Sequence, residues 1–236
     1  MGNVAKSFAA RGVETALVDL LDDAEHNNLT LEAAHNDIVA MLRHTELGIQ
    51  VVICIGIELP CDTWSRARGG GSGPPMIRNS GALWGLVGIR PCDQTKVNDG
   101  NQQARWALAW IEIAIELNIP GYLEHPLGSW FWHLPQIVAW INQGRAHLTH
   151  LHMCQYNRPY KKPTRLLLFG GVPPGAIRLA RCRARGCLCS RTSLPHQRLQ
   201  GLDPNTRKFI TKRAQIYPAE FAEYLVSQLM PHLRTR

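Results

Sequence analysis

The sequence predicts an α/β fold in which helices cover a parallel β-sheet, and two kinds of segment support this prediction. Apolar runs of strand length occur at 50–59 and 165–171, and such runs are typical of strands that are buried on both faces of a sheet. Segments with apolar residues at helical spacing, such as 99–118, lie between runs of this kind. Strands that alternate with helices in this way indicate a parallel sheet.

The predicted elements follow one another along the whole chain. Gly12 and Gly48 each follow a segment of helical pattern, and glycine commonly ends a helix. A stretch at 66–81 is too rich in glycine and proline for regular structure, so we expect it to be flexible. In chain order we predict a helix at 5–12, a strand at 13–20, a helix at 31–47, a strand at 50–59, a helix at 99–118, a strand at 121–125, a helix at 135–143, strands at 146–153 and 165–171, and a helix at 219–230.

The predicted organisation has three parts. Residues 1–171 form the α/β domain, and residues 172–208 form a short basic insertion that is rich in cysteine and arginine. Residues 209–236 form a terminal helix that packs back on the α/β domain.

The composition is that of a soluble globular protein with a basic surface. Hydrophobic residues make up 45% of the chain and charged residues 19%, and the net charge of +8 with a pI near 9.4 fits a polyanionic partner. The apolar runs are too short to cross a bilayer, so no membrane partner is expected. Seven cysteines, an odd number, without a recognisable secretory signal indicate reduced thiols and an intracellular location.

The candidates for chemistry follow the predicted strands, because the carboxyl ends of parallel strands meet along one rim of a sheet. Cys61 lies in ELPCDTWSRARGGG at 58–71, after a buried strand and a proline. A thiolate there would attack an electrophilic carbon, with nearby arginines lowering its pKa. Arg66 and Arg68 in the loop that follows would reach phosphates. The alternative is a buried structural cysteine followed by a solvated loop.

A second candidate is Glu124, which ends the predicted strand of GYLEHPLGSWFW at 121–132. A partly desolvated glutamate has a raised pKa and donates a proton or a hydrogen bond to a ring nitrogen. The aromatic residues of the same segment would stack a base or pack in the core.

A third segment, CQYNRPYKKPTRLLLFG at 154–170, is a polar and basic turn that leads into a buried strand. Lys161, Lys162 and Arg165 would orient a phosphate or a base carbonyl. The alternative is a solvated basic loop.

In this order the three segments resemble the motifs of the S-adenosylmethionine-dependent cytosine-5 DNA methyltransferases. PCDTWSRARGG is similar to the Pro-Cys nucleophile motif and its mobile loop, LEHP to the Glu-Asn motif, and YNRPYKKPTRLLLFG to the Tyr-Gly-x-Pro-Gln-x-Arg-x-Arg motif. Residues 209–229 resemble the closing helix of the family, which packs beside the cofactor site. The resemblance covers about the whole chain and implies a Rossmann-like methyltransferase sheet.

The resemblance implies a role for each matching residue. Cys61 would attack carbon 6 of a cytosine that is flipped out of its stack. Glu124 would hold and protonate ring nitrogen 3, and Arg165 would position the cytosine carbonyl. The residues implied for S-adenosylmethionine are Gly2, Asp19 at the ribose, Asn28 at the adenine, and Pro60.

The sequence departs from the family pattern in several places. The family opens with a strand and a Phe-x-Gly-x-Gly turn, of which only the last glycine has a match here, so we expect the first strand to be missing and the sheet to expose unpaired edges. His125 stands where the family has asparagine, Asn157 where it has glycine, and Tyr160 where it has glutamine. The region of the DNA-reading domain is very short.

A cluster in RCRARGCLCSRTSLPH at 181–196 supplies the ligand types of a small zinc site. Its spacing does not match a zinc ribbon or finger, and a basic cysteine-bearing loop is the alternative. Cys154 we interpret, with the nearby histidines, as an ordinary strand residue. The predicted ligands are Cys182, Cys187, Cys189 and His196.

The leading hypothesis is methyl transfer from S-adenosylmethionine to carbon 5 of cytosine in DNA through a covalent cysteine adduct. Three alternatives stay open: a catalytically inactive nucleic-acid-binding relic, an RNA cytosine methyltransferase, and a zinc-dependent binding module centred on 182–196. The expected partner is DNA or RNA, and the expected location is intracellular, in the nucleus for a eukaryotic source.

Overall fold

The computed structural model of the chain describes residues 2–16, 32–48, 52–69, 73–183, 188–202, 207 and 209–233. Short 3₁₀ helices at Trp130–His133, Met153–Tyr156, Ile210–Ala214 and Met230–His232 supplement the main elements. In chain order these are α1 (Asn3–Ala9), α2 (Glu32–Glu46), β1 (Ile55–Glu58), α3 (Pro91–Glu116), β2 (Gly121–Pro126), α4 (Pro135–Asn142), β3 (Ala146–His152), β4 (Pro163–Phe169) and α5 (Ala219–Leu229).

The strands of the described residues form one open sheet in the order β1-β2-β4-β3. β1 and β2 are parallel, with Glu58 opposite Glu124. β4 is antiparallel to both of its neighbours, so the expectation of a wholly parallel sheet is wrong. The chain between His152 and Pro163 is too short for the crossover that a parallel pair requires, and β4 therefore reverses direction. The result is an α/β fold with a mixed sheet, compatible with a Rossmann-like arrangement.

Helices cover both faces of the sheet. Leu123 and Leu167 point to one face and pack in a core with α3 and α4. Tyr122 and Leu166 point to the other face and pack in a second core with α1 and α5. Side chains alternate between faces along each strand, so any residue of β2 or β4 can be assigned to one core or the other.

Several predicted elements are found with different bounds. The helix predicted at 99–118 begins already at Pro91. The prediction missed its first two turns because these residues show no apolar stripe; Asp93 and, one turn later, Asn101 are buried polar residues that face the preceding loop. Of the strand predicted at 50–59, only residues Ile55–Glu58 form a strand in the described part of the chain, and these are β1. Residues 13–16 have no regular structure, and the rest of the strand predicted at 13–20 lies outside the described residues.

The glycine-rich stretch at 66–81 has no helix or strand in its described part, as predicted. It is nevertheless anchored at its end, since Ile77 and Arg78 are both only 1% exposed. The expectation of flexibility is therefore wrong for this end.

β1 forms one edge of the sheet within the described residues, and its Gly56 and Glu58 are exposed. The absence of a first methyltransferase strand stays a prediction. None of the helices that the structure describes has the length and apolar character needed to cross a membrane.

Candidate active site

Cys61 lies just beyond the carboxyl end of β1, where it begins a tight turn. The Ser65 N–H donates to the Cys61 carbonyl oxygen at 3.0 Å, and Thr63 and Trp64 within the turn are buried. The Cys61 side chain is half-buried. The turn thus fixes the thiol beside the end of the neighbouring strand β2.

Glu124 lies near the end of β2 and is only 6% exposed. Its Oε1 atom has no hydrogen-bond partner among the described residues. Burial raises the pKa of Glu124, while the charge of Lys162 and the hydroxyl of Tyr217 act in the opposite direction. A carboxyl group in this environment keeps its proton to a higher pH than usual.

Cys61, Glu124 and Lys162 lie at the same end of the sheet, because Glu124 is opposite Glu58, three residues before Cys61, and Lys162 directly precedes β4, whose start pairs with the end of β2. Burial raises the pKa of the Cys61 thiol, and the negative charge of Glu124 raises it further. The positive charge of Lys162 lowers the same pKa. The two residues predicted at the ends of neighbouring strands are therefore brought together, with a lysine as the charge that favours both anions.

Lys162 is held in an unusual backbone conformation directly before β4. Its φ angle is 28°, which lies in a region that residues other than glycine seldom adopt. Its ammonium group donates to the Ala214 carbonyl oxygen at 2.7 Å and lies 5.9 Å from the centre of the Tyr217 ring. The 3₁₀ helix Ile210–Ala214 and the residues after it thus hold Lys162 at the site.

Two tyrosines of the site were not predicted from the sequence. The Tyr122 hydroxyl donates to Glu58 Oε1 at 3.0 Å, and burial together with the charge of Glu58 raises the pKa of Tyr122 well above its usual value. Burial and the charge of Glu124 raise the pKa of Tyr217 likewise. The sequence contained a signal for Tyr122, because residues two positions apart on a strand, as Tyr122 and Glu124 are, lie on the same face. It contained none for Tyr217, which lies far away in the sequence.

Arg165 is not brought to Glu124. In the register of β2 and β4, Glu124 is opposite Leu166, whereas Arg165 is opposite His125. Glu124 therefore points towards α1 and α5, and Arg165 points towards α3 and α4, where its guanidinium lies 5.6 Å from the centre of the Trp132 ring.

His125, at the position of the family asparagine, is fully buried on the same face as Arg165. Its ring is nearly parallel to that of Phe131, with the ring centres 5.0 Å apart. Burial, and to a lesser extent the charge of Lys162, lowers the pKa of His125 to about 3. The imidazole is therefore neutral at physiological pH and is part of the core.

Of the predicted phosphate contacts, Arg66 is exposed and Arg68 is not. The side chain of Arg68 is 8% exposed and pairs with Asp93 at 2.9 Å, which binds the loop to the start of α3. Arg66 stacks on Trp130 at 4.1 Å beside the loop of Cys61. Lys161 is half-buried. Of the two loop arginines, only Arg66 thus has an exposed side chain.

The other departures in the third motif have local explanations. Asn157 has a left-handed backbone, with φ 60° and ψ 36°. Glycine adopts this conformation most readily, and asparagine tolerates it better than most other residues. Tyr160 is buried in the core with α1 and α5.

Only two of the residues predicted for the cofactor, Gly2 and Pro60, lie in the described part of the chain. Asp19 and Asn28 lie outside the described residues. Gly2 precedes α1 with open space around it, and Pro60 is exposed. A cleft of about 560 Å³ lies between α3 and α4, and one of about 340 Å³ lies beside α1 and α5. Neither Gly2 nor Pro60 lines them, so the described geometry gives no support for a formed S-adenosylmethionine pocket.

A second cluster lies beyond the opposite edge strand, β3. It contains three of the four predicted metal ligands and adds Cys154, while Cys187 lies outside the described residues. Cys154 is in the 3₁₀ helix after β3 and not in the strand itself, so its interpretation as a strand residue was wrong. The ligand atoms of Cys154, Cys182, Cys189 and His196 all lie within 4.8 Å of one another.

The thiols of this second cluster differ in pKa. Burial raises the pKa of Cys154 to about 12. Burial also disfavours the thiolate of Cys189, but the backbone N–H groups of Arg191 and Thr192 outweigh it and bring the pKa of Cys189 to about 7.

No protein-family model matches the chain, and neither a curated protein nor a solved structure is significantly similar to it.

Proposed function

We propose that Cys61 and Glu124 catalyse covalent addition to cytosine, as the first half of methyl transfer from S-adenosylmethionine to carbon 5 of cytosine in DNA. The observation that carries the proposal is the buried carboxyl of Glu124, which has an unpaired oxygen and influences the thiol of Cys61. A nucleophile beside a buried proton donor is the pair that addition to a neutral heteroaromatic ring requires.

The protonation states of the two residues support each other. Burial raises the pKa of Glu124, so its protonated form can donate to ring nitrogen 3. A protonated Glu124 no longer carries the charge that opposes the Cys61 thiolate, while the positive charge of Lys162 still favours that thiolate. The state that donates the proton is therefore also the state in which the nucleophile forms more readily.

In the addition step the Cys61 proton passes to solvent, and the sulfur forms a bond to carbon 6. The electron pair of the carbon 5–carbon 6 double bond moves to the carbon 5–carbon 4 bond, the pair of the carbon 4–nitrogen 3 double bond moves to nitrogen 3, and nitrogen 3 takes the Glu124 proton. Glu124 is then a carboxylate that Lys162 stabilises, and carbon 5 is electron-rich. S-adenosylmethionine, when bound, would supply an electrophilic methyl group. Loss of the carbon 5 proton to solvent then expels the Cys61 sulfur as a thiolate, which regains a proton from solvent. Ring nitrogen 3 returns its proton to Glu124, and the aromatic ring and both residues are restored.

The nucleic-acid half of the proposal is supported by charge. The chain has a net charge of +8, and the exposed Arg66 lies on the loop that follows Cys61. Contacts to phosphates hold a nucleic acid in place without reading its sequence. RNA offers the same phosphates, so the acceptor must be tested as DNA against RNA.

Hydrogen exchange at carbon 5 tests the proposal without the cofactor. Addition to carbon 6 makes carbon 5 basic enough to take up deuterium from heavy water, so wild-type protein should remove the cytosine H5 signal of a DNA oligonucleotide. Cys61→Ser should abolish the exchange, and Glu124→Gln, which cannot give up a proton, should slow it by about 10²–10⁴-fold. Cys92→Ala, which alters an exposed cysteine, should leave the rate unchanged.

The proposal would be contradicted if folded wild-type protein promoted no hydrogen exchange at carbon 5 of cytosine in either DNA or RNA. Exchange of RNA alone would reassign the acceptor. The cofactor half has its own test: DNA with 5-fluorocytosine should become covalently attached in the presence of S-adenosylmethionine, because fluorine cannot leave as the proton does. Cys61→Ala should prevent this attachment.

A nucleic-acid-binding protein without catalysis is the second candidate. The raised pKa of Cys61 favours it, because a thiol is a poor nucleophile. It predicts salt-dependent DNA binding without any exchange at carbon 5, so the same experiment separates the two candidates.

A further inference from the structure

We propose that the second cluster is a structural zinc site that fastens the cysteine-rich insertion to the end of β3, with four ligands: Cys154, Cys182, Cys189 and His196. Three thiolates and one imidazole are a common ligand set of structural zinc, and soft thiolates favour zinc over magnesium or calcium. This inference is independent of the methyl-transfer proposal, because the cluster shares no residue with the site of Cys61.

The distances fit tetrahedral coordination. Zinc bonds of about 2.3 Å to sulfur and about 2.0–2.1 Å to nitrogen place a sulfur and a nitrogen about 3.6 Å apart in a tetrahedron. The Cys182 sulfur and His196 Nε2 are 3.7 Å apart. The longest separation in the cluster, at most 4.8 Å, closes with a small movement of one side chain.

Hydrogen-bond donors surround the sulfurs as they do in zinc sites. The Ser190 N–H donates to the Cys182 sulfur at 3.3 Å. The Gln155 amide lies 3.5 Å from the Cys154 sulfur and 3.7 Å from the Cys189 sulfur. Such outer contacts orient metal ligands and stabilise the thiolate form.

The first part of the insertion packs on the core with α1 and α5 through Val172 and Ile177, but residues 188–196 have little apolar packing. Their leucines are largely exposed, Leu188 by 49% and Leu194 by 65%. The buried centre at this end of the insertion is a small cluster of Cys182 and Cys189 with Cys154 from the segment after β3. Cys154 and Cys189 are free thiols. A segment without an apolar core is commonly stabilised by a metal or a disulfide, and three thiols with one imidazole match the metal.

The ligands also explain an otherwise irregular path of the chain. Cys182, Cys189 and His196 follow one another at intervals of seven residues, whereas Cys154 comes from the other side of β4 in the sequence. The Cys182 N–H donates to His152 Nδ1 at 2.8 Å, which sets the first ligand of the insertion against the end of β3. One ion would thus join two segments that are distant in the sequence.

Zinc analysis of the full chain, expressed with zinc and purified under reducing conditions, tests this proposal. We expect elemental mass spectrometry to find one zinc ion per wild-type chain. Cys154→Ser should lose the zinc. Cys187→Ser and Cys92→Ser should keep it, because four ligands already complete the site without them.

Two results would overturn the proposal: wild-type protein that is folded but free of zinc, or a Cys187→Ser protein that loses zinc while Cys154→Ser keeps it. Cobalt titration of metal-free wild-type protein avoids reliance on variants that fail to fold. Strong thiolate-to-cobalt absorption with tetrahedral bands is expected. Weak octahedral absorption, or a disulfide among the three cysteines found by thiol alkylation, would refute the site.

Discussion

The guanidinium of Arg78 lies 3.7 Å above the centre of the Trp64 ring, and both side chains are only 1% exposed. Arg78 also donates four hydrogen bonds, to the Leu83 and Val97 carbonyls, to Asn101 Oδ1 and to Thr63 Oγ1. Burial lowers the pKa of Arg78 to about 10, so it is still charged at neutral pH. This one side chain connects the turn of Cys61, the glycine-rich loop and the first turns of α3.

Replacing Arg78 by methionine should destabilise the protein strongly. Methionine fills part of the volume but leaves the Asn101 and Thr63 oxygens without a donor, which we expect to cost about 2–4 kcal/mol in the free energy of unfolding. Arg78→Lys should recover only part of this loss, because an ammonium group lacks the planar fork that stacks on tryptophan. Denaturant unfolding measures both.

The exposed Arg105, 5.2 Å from the Trp84 ring, provides the matched control for Arg78. Arg105→Met should change the unfolding free energy by no more than about 0.5 kcal/mol. Equal effects at the two arginines would show that Arg78 is not the anchor of the loop.

Gly100→Ala should also destabilise, although alanine is favoured over glycine within helices by about 1 kcal/mol. A Cβ at Gly100 would lie 2.7 Å from Thr63 Oγ1 and 3.2 Å from Arg78 Nη2, so α3 must move away from the Cys61 turn. A Thr63→Ala change in the same protein removes the closest atom and should restore part of the loss. Strictly additive effects of the two changes would contradict this contact.

The buried His125 should make the protein sensitive to acid. Its folded pKa of about 3 is below the ordinary value of 6.5, so its contribution to stability is complete above pH 6.5 and is lost as the pH falls towards 3. Between pH 7 and pH 5 the loss should be on the order of 2 kcal/mol. His125→Leu should unfold with a smaller change in free energy over this interval, as measured by denaturant titration.

A histidine on a different element separates this effect from general acid destabilisation. His44→Leu, on α2, should retain the wild-type pH dependence. If the His125→Leu and wild-type curves run parallel, the imidazole is not the group responsible.

We expect Lys162, and not Arg165, to affect the rate of hydrogen exchange at cytosine carbon 5. Lys162→Met removes the charge that favours the Cys61 thiolate and the Glu124 carboxylate left after proton donation. We expect exchange at cytosine carbon 5 to slow by about tenfold or more, corresponding to roughly 1.4 kcal/mol. Arg165→Met, on the opposite face of the sheet, should retain most of the exchange rate. If Arg165→Met slowed the exchange more than Lys162→Met does, the positioning role would belong to Arg165.

Local patterns in the sequence were sufficient for most elements of the fold. The apolar spacing of residues 31–47 and 219–230 predicted α2 and α5 nearly to their ends, because each helix buries one stripe of its own residues. The apolar runs likewise placed Cys61 just after a strand and Glu124 near the end of one. The run at 50–59 was expected to be buried on both faces, which is wrong for β1, an edge strand whose Gly56 and Glu58 are exposed. The pairing of β1 and β2 in parallel brings the ends of these two strands together.

What the sequence could not determine depends on register and on distant contacts. The reversal of β4 and its pairing of Leu166 with Glu124 decide that Arg165 faces away from the site, since a shift of one residue exchanges the two faces of a strand. Tyr217 and Cys154 reach their sites from segments far away in the chain. Such contacts leave no local periodicity, so only the tertiary structure decided which residues surround Glu124 and which complete the cysteine cluster.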